Sequence, residues 1–251
     1  MKIIGVIPAR YSSSRFPAKP LADILGKPMI WWVYKQVKKV EELDEVVVAT
    51  DDERIANVCS SLNIKYIMTS KDNNTSTERL YEVAQHINAD YYICINGDEP
   101  LIDPNIIQCI IPKDGKRINE VYVANLMTRI KDPVQVVDNT NIKVVVNNDS
   151  ELVYISRSPI PYPKSSMNFY YRKHLGVLAY NFEALKLFKN SDKRTLEKIE
   201  DINELRFIEY GQKINMIEVD AETLSVDTPK DLDNVISILK AKLDKGENIY
   251  E

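Results

Sequence analysis

Glycine, histidine and cysteine are scarce in this chain, with 7, 2 and 3 copies in 251 residues. The seven glycines are scattered, and neither G-x-G-x-x-G nor G-x-x-x-x-G-K-[ST] occurs. This excludes dinucleotide and Walker-type phosphate loops built on close backbone approach. Cys59, Cys94 and Cys109 stand far apart, without C-x-x-C spacing or a neighbouring histidine. Zinc and a disulfide framework are therefore not expected, and Cys94, inside YYICING, reads as a buried free thiol. Basic excess is missing as well: 33 Lys and Arg face 37 Asp and Glu, a formal charge of -4. Nucleic acid is not an expected partner. No apolar run approaches the ~20 residues of a membrane helix, and MKIIGVIPAR reaches Pro8 too soon for a signal peptide. The expected location is the cytoplasm, with no membrane partner.

What remains is ordinary globular material, 44% hydrophobic and 28% charged. Short apolar runs alternate with amphipathic segments. Strands are expected at 2–7, 45–50, 65–68 and 91–95, and helices at 29–40, 52–62 and 77–87. This alternation predicts an α/β fold with a mostly parallel sheet covered on both faces. A mixed second half follows, with strands at 121–128, 142–146, 152–155, 175–180 and 214–219. Helices are expected at 199–210 and 229–243, the last with a core-facing stripe of Leu232, Val235, Ile236 and Leu239. No linker or repeat interrupts the chain, so residues 1–251 read as one domain, with roughly 120–180 carrying an inserted mixed β region.

Ligands of such sheets bind beyond the carboxyl ends of the strands, which directs attention to three loops, at residues 8–10, 70–77 and 96–100. After the first strand, Pro8 and Ala9 lead into Arg10, Ser12, Ser13, Ser14, Arg15 and Lys19, stiffened by Pro17 and Pro20. Three cations with hydroxyl donors can neutralise a triphosphate; the same composition also suits a solvated basic loop. Most aspartates have a local explanation. Asp51 and Asp103 precede helices as N-caps, and in SVDTPKDL Thr228 is the cap, Pro229 the first helical residue and Asp231 an acid of the first turn. Asp98, after Gly97 at the end of a strand, and Asp227, in the strand-to-helix loop facing the same sheet edge, are left over. Two carboxylates facing a basic phosphate loop suit Mg²⁺, which prefers one or two carboxylates plus phosphate oxygens and water.

Seven stretches in order, IPARYSSSRFPAKPLADILGKPMI (7–30), TSTERL (75–80), NGDEP (96–100), NIKVVV (141–146), YISRSPIPYP (154–163), KHLGVLAY (173–180) and SVDTPKDL (225–232), resemble the signatures of CMP-KDO synthetases, the 3-deoxy-manno-octulosonate cytidylyltransferases. The resemblance implies a GT-A-like, Rossmann-related nucleotidyltransferase fold and a homodimer. It also implies an enzyme making CMP-KDO and pyrophosphate from CTP and KDO, for lipopolysaccharide or capsule synthesis. Carried over residue by residue, it assigns Pro8, Ala9, Arg10, Ser14, Arg15, Lys19 and Thr75 to CTP, and Asp98 and Asp227 to Mg²⁺. Lys19, Arg10 and the two aspartates are the catalytic group. Arg79, Asn96, Arg157, His174, Asn203 and Glu204 fall to the sugar acid.

The match departs from the family pattern near that acceptor. Asn73 stands where a histidine is usual, Asn96 where glutamine is usual, and Asn203-Glu204 where Glu-Gln is usual. The acceptor therefore stays open between KDO and a different acid, such as 8-amino-KDO or a sialate. A non-catalytic nucleotide-sugar-binding subunit is the alternative from another class.

Overall fold

A computed structural model describes residues 1–12, 16–113, 120–166 and 168–250. In chain order its strands are β1 (Ile3–Ala9), β2 (Asp23–Ile24), β3 (Lys27–Pro28), β4 (Glu45–Thr50), β5 (Tyr66–Met68), β6 (Tyr91–Ile95), β7 (Val123–Arg129), β8 (Lys143–Val146), β9 (Leu152–Ser156), β10 (Arg172–Tyr180) and β11 (Asn215–Glu218). The helices are α1 (Met29–Val37), α2 (Glu53–Ser61), α3 (Ser76–His86), α4 (Pro104–Ile110), α5 (Pro133–Val137), α6 (Phe182–Lys189), α7 (Thr195–Glu200), α8 (Glu204–Glu209) and α9 (Pro229–Asp244). The main sheet has the order β11-β7-β10-β6-β1-β4-β5, with β8 and β9 attached beside β10, while β2 and β3 form a separate hairpin. Along that seven-strand path only β10 runs against the others. The expected α/β architecture with a mostly parallel sheet is what forms.

Alternation along β1 shows why both faces are covered. Ile3 and Ile7 pack with α1, α2 and α4 through Val33, Ile55 and Ile107, whereas Ile4 and Val6 pack with α3, α6 and α8 through Leu80, Phe188 and Leu205. Successive side chains of a strand point to opposite faces, so an apolar run buries on both. Each fully buried aliphatic side chain contributes about 1.5–3 kcal/mol. Helix α9 packs on a third cluster, with Val235 and Leu239 buried against Ile24, Met29 and Trp32 and with Leu232 and Ile236 partly buried beside them.

Local chemistry fixes the ends that matter. Thr228 caps α9 in a box with Asp231, whose carboxylate also accepts from the Asp227 amide at 3.1 Å. Thr228→Ala should lower stability by about 1 kcal/mol, read as a shifted urea midpoint with an unchanged slope.

Two sequence expectations are corrected here. Asp51 is not the cap of α2; Asp52 is, accepting from the Arg54 amide at 2.9 Å. Asp51 instead pairs with Arg79 at 2.9 Å. The single helix expected over 199–210 is broken into α7 and α8 at Asp201, whose φ of 52° lies in the left-handed region that short polar residues tolerate. The break lets Arg206 reach back to Glu197, with Nε and Nη2 donating at 2.6 and 2.7 Å. This buried two-point pair locks the bend, and the bend sets Asn203 and Glu204 at the wall of the cleft described next.

Candidate active site

A cleft of about 530 Å³ opens at the carboxyl ends of β1 and β6. Its walls come from the β1 loop, the start of α3, the end of β6, the near half of β10 and the α7–α8 bend. The single reversed strand makes this geometry possible. Val177 of β10 pairs with Ile95, the last residue of β6, so residues 172–176 continue past that strand's end. His174 is thereby carried into the cleft beside Asn96.

Two glycines allow the approach. A Cβ on Gly97 would stand 2.9 Å from the carbonyl oxygen of Pro8, and one on Gly176 would lie 2.9 Å from the Cβ of Asn96. Neither contact is tolerable for a fixed neighbour, so glycine holds the ends of β6, β1 and β10 together.

At the floor, Lys19 Nζ donates to Asp98 Oδ2 at 2.9 Å and also to Asp227 Oδ1 at 3.3 Å, although Asp227, unlike Lys19 and Asp98, does not itself line the cleft. Lys19 opens a short 3-10 turn, entered through Ala18 at φ 58°, whose amide donates to the Tyr11 carbonyl. The two acids lie 129 positions apart in sequence, and a main-chain bond from the Val226 amide to the Asp98 carbonyl, 2.8 Å, sets them side by side. Like charges so close repel, and the shared ammonium offsets this. Asp98 Oδ1 is buried without a hydrogen-bond partner. An orphaned carboxylate oxygen beside a second carboxylate is a donor set that fits a hard cation completed by phosphate oxygens and water. Among the described residues no group of three or more His, Cys, Asp or Glu side chains gathers with metal-binding geometry. Asp98 and Asp227 are thus the pair that could share a metal with a ligand's own oxygens.

Arg10 reaches across the cleft mouth, Nη1 donating to the Asn74 carbonyl at 3.1 Å. It ties the β1 loop to the turn that ends in Thr75, the N-cap of α3. Thr75 and Asn74 line the cleft, as do Pro8 and Ala9. Ser14 and Arg15 lie outside the described residues.

The acceptor-end residues divide. Asn96, His174, Asn203 and Glu204 line the cleft. Arg79 also lines it but is 1% exposed, and its guanidinium is taken up by Asp51 and by the Thr69 hydroxyl. Arg157 does not line the cleft: its guanidinium donates to the carbonyls of Glu200, Asp201 and Asn139. Asn73 is likewise held away, its amide donating to Glu82 and to the Ser70 carbonyl.

His174 is neutral. Burial first, then the charges of Arg157 and Lys173, push its pKa down to about 4. The Asn125 amide nitrogen donates to the carbonyls of Leu175 and Val177, so its oxygen faces His174 Nδ1 at 3.3 Å. That oxygen only accepts, which assigns the proton to Nδ1 and leaves Nε2 as an acceptor.

Sequence reading missed Lys193, which lines the cleft from a loop without a motif. It also missed Asn125, whose signal was a lone amide in the apolar run of β7. Glu99 was passed over beside Asp98. It is buried, and burial first, then the Asp98 charge, raise its pKa to about 8.

Comparison with known proteins shows the family. The cytidylyltransferase family model matches residues 4–214. The 3-deoxy-manno-octulosonate cytidylyltransferase of Escherichia coli is 38% identical over 242 residues, covering 96% of this chain and 98% of that protein. The chain belongs to this cytidylyltransferase family. The mitochondrial 3-deoxy-manno-octulosonate cytidylyltransferase of Arabidopsis thaliana is also 38% identical, over 96% of this chain and 84% of its own length. Among solved structures, CMP:2-keto-3-deoxy-manno-octonic acid synthetase complexed with CTP superposes with a TM-score of 0.89 at 39% identity, covering 96% of this chain and 100% of that one. The inositol-1-phosphate CTP transferase of T. maritima, at 16% identity and a TM-score of 0.69, shares the fold. As a cytidylyltransferase the chain is a nucleotidyltransferase enzyme.

Proposed function

We propose that the protein transfers the cytidylyl group of CTP to the anomeric 2-hydroxyl of KDO, giving CMP-KDO and pyrophosphate. The observation that carries this reading is the Lys19–Asp98–Asp227 cluster at the cleft, with Lys19 and Asp98 on its wall, in a chain that matches KDO cytidylyltransferases along nearly its whole length. The hydroxyl oxygen forms a bond to the α-phosphorus, the bond from that phosphorus to the bridging oxygen breaks, and the hydroxyl proton leaves to solvent. Asp98 and Asp227 would hold Mg²⁺, which when bound acidifies the attacking hydroxyl and offsets phosphate charge. Arg10 and Lys19 bind and orient the phosphates and stabilise charge gathering on the phosphoryl oxygens. Thr75 and its flanking turn close the nucleotide end. Neutral His174, Asn96, Asn203 and Glu204 receive the sugar acid through hydrogen bonds, which discriminate strongly because an unmatched partner leaves a buried polar group unpaired.

Pyrophosphate release tests this, with CTP and Mg²⁺ and with KDO and N-acetylneuraminate offered in parallel. KDO should be turned over at least 10²-fold more efficiently, on the scale of one or two lost buried hydrogen bonds. Preference for N-acetylneuraminate would refute the acceptor while leaving the family in place.

We infer a homodimer as well. Val134 and Val137 on α5 are 69% and 72% exposed, and Val153 of β9 is also open, so α5 and β9 offer apolar surface to a second copy. Sedimentation equilibrium should return twice the chain mass, falling to one chain mass in Val134→Glu/Val137→Glu. No helix among the described residues is long and apolar enough to cross a membrane, and a cytoplasmic location is part of this proposal.

A further inference from the structure

Glu204 is a carboxylic acid set in the wall of a cleft that, on the proposed function, takes an anionic sugar acid. It lines the cavity, is 7% exposed, and among the described residues has no ion pair and no side-chain hydrogen-bond donor. Its local support is its own main-chain amide. An ionised, unpaired carboxylate there would repel the acceptor's carboxylate and face its hydroxyls with acceptor lone pairs alone. The protonated acid offers both a donor and an acceptor, as a primary amide does. We propose that Glu204 binds the sugar acid in its protonated form, donating a hydrogen bond to an acceptor oxygen, so that acceptor binding is coupled to the proton on this side chain.

The surrounding groups leave this role to Glu204. On α7, Glu197 is neutralised by Arg206 and adds to the pressure toward protonation. On β9, the Tyr154 pKa is raised by burial, and the adjoining Arg157 is tied to Glu200 and neighbouring carbonyls. On β10, His174 stays neutral, and burial raises Tyr180; on β6, burial raises Cys94. Across the cleft Arg79 is paired with Asp51, and the rim cation Lys193 stands 3.8 Å from Glu197. Burial, then Glu197, raises Glu204 itself to about 7. Glu99, near 8, adjoins Asp98 at the metal-binding floor, and its ionisation persists when Glu204 is replaced.

The sign follows directly. Below pH 7 the acid is protonated and the acceptor binds; above it, each molecule must first take up a proton. The KM for KDO should therefore be flat near pH 6 and about tenfold higher at pH 8, with the KM for CTP lacking that rise. Glu204→Gln, which keeps donor and acceptor without titrating, should hold the KDO KM near its low-pH value from pH 6 to 8. Glu204→Ala should raise it about tenfold or more at every pH. A wild-type KDO KM that is flat from pH 6 to 8 overturns the inference, and so does a rise that persists unchanged in Glu204→Gln. Because the wild-type profile is itself a test, the inference survives or falls even if a variant does not fold. It rests on the proposed acceptor: absence of KDO turnover at any pH removes both, whereas turnover with a flat KM removes only this one.

Discussion

Asp98→Asn is expected to lower kcat by about 10³-fold, on the order of 4 kcal/mol of transition-state stabilisation, with the KM for KDO changed far less. The substitution keeps the shape of the side chain and its place at the end of β6, so the fold should be unaffected. What it removes is one negative charge and the orphaned buried oxygen beside Asp227. On the proposed chemistry that oxygen and Asp227 share the cation that acidifies the attacking hydroxyl. Asp227→Asn should therefore cost a similar factor. The double variant should cost little more than either single one, because groups that act as a unit are not additive. Steady-state kinetics at several Mg²⁺ concentrations makes the check sharper: the single variants should demand more metal as well as turning over slowly. Full activity in Asp98→Asn would remove the metal assignment.

Lys19→Met carries the second large effect, an expected loss of about 10²–10³ in kcat. The ammonium bridges the two carboxylates at 2.9 and 3.3 Å, and a methionine of similar length leaves them facing each other without compensation. One consequence separates this variant from the aspartate ones: Lys19 would offset charge on the transferring phosphoryl group, so the loss should fall on kcat and persist at saturating metal. Lys19→Arg should recover part of kcat, although a planar fork cannot reproduce a compact ammonium aimed at two oxygens. A Lys19→Met enzyme that lost only CTP affinity would make the lysine a binding group rather than part of the reaction.

How much of this was legible beforehand depended on whether the signal was local. Strand β6 and helix α9 were readable because a five-residue apolar run and a capping box with Pro229 are local statements, and the structure places them where they were expected. Asp98 and Asp227 stood out because their neighbours already explained the other acids. Asp51 misled because it adjoins Asp52, and either could cap α2; the choice was made by buried Arg79, whose partner no local rule reveals. The broken helix at Asp201 was likewise illegible, since what locks it is a buried ion pair between residues nine positions apart on opposite sides of the bend. Arg157 shows the limit of transferring a motif: its guanidinium is occupied by main-chain carbonyls at the α7–α8 bend. The tautomer of His174 depends on Asn125, which approaches from a neighbouring strand and has no sequence proximity to it.

The most direct measurement is the fate of the α-phosphate. With CTP labelled there, Mg²⁺ and KDO, the label should move into a species with the mass of CMP-KDO, with one pyrophosphate released per molecule formed. Label that remained in CTP, or appeared as free CMP regardless of KDO, would contradict cytidylyl transfer to this acceptor.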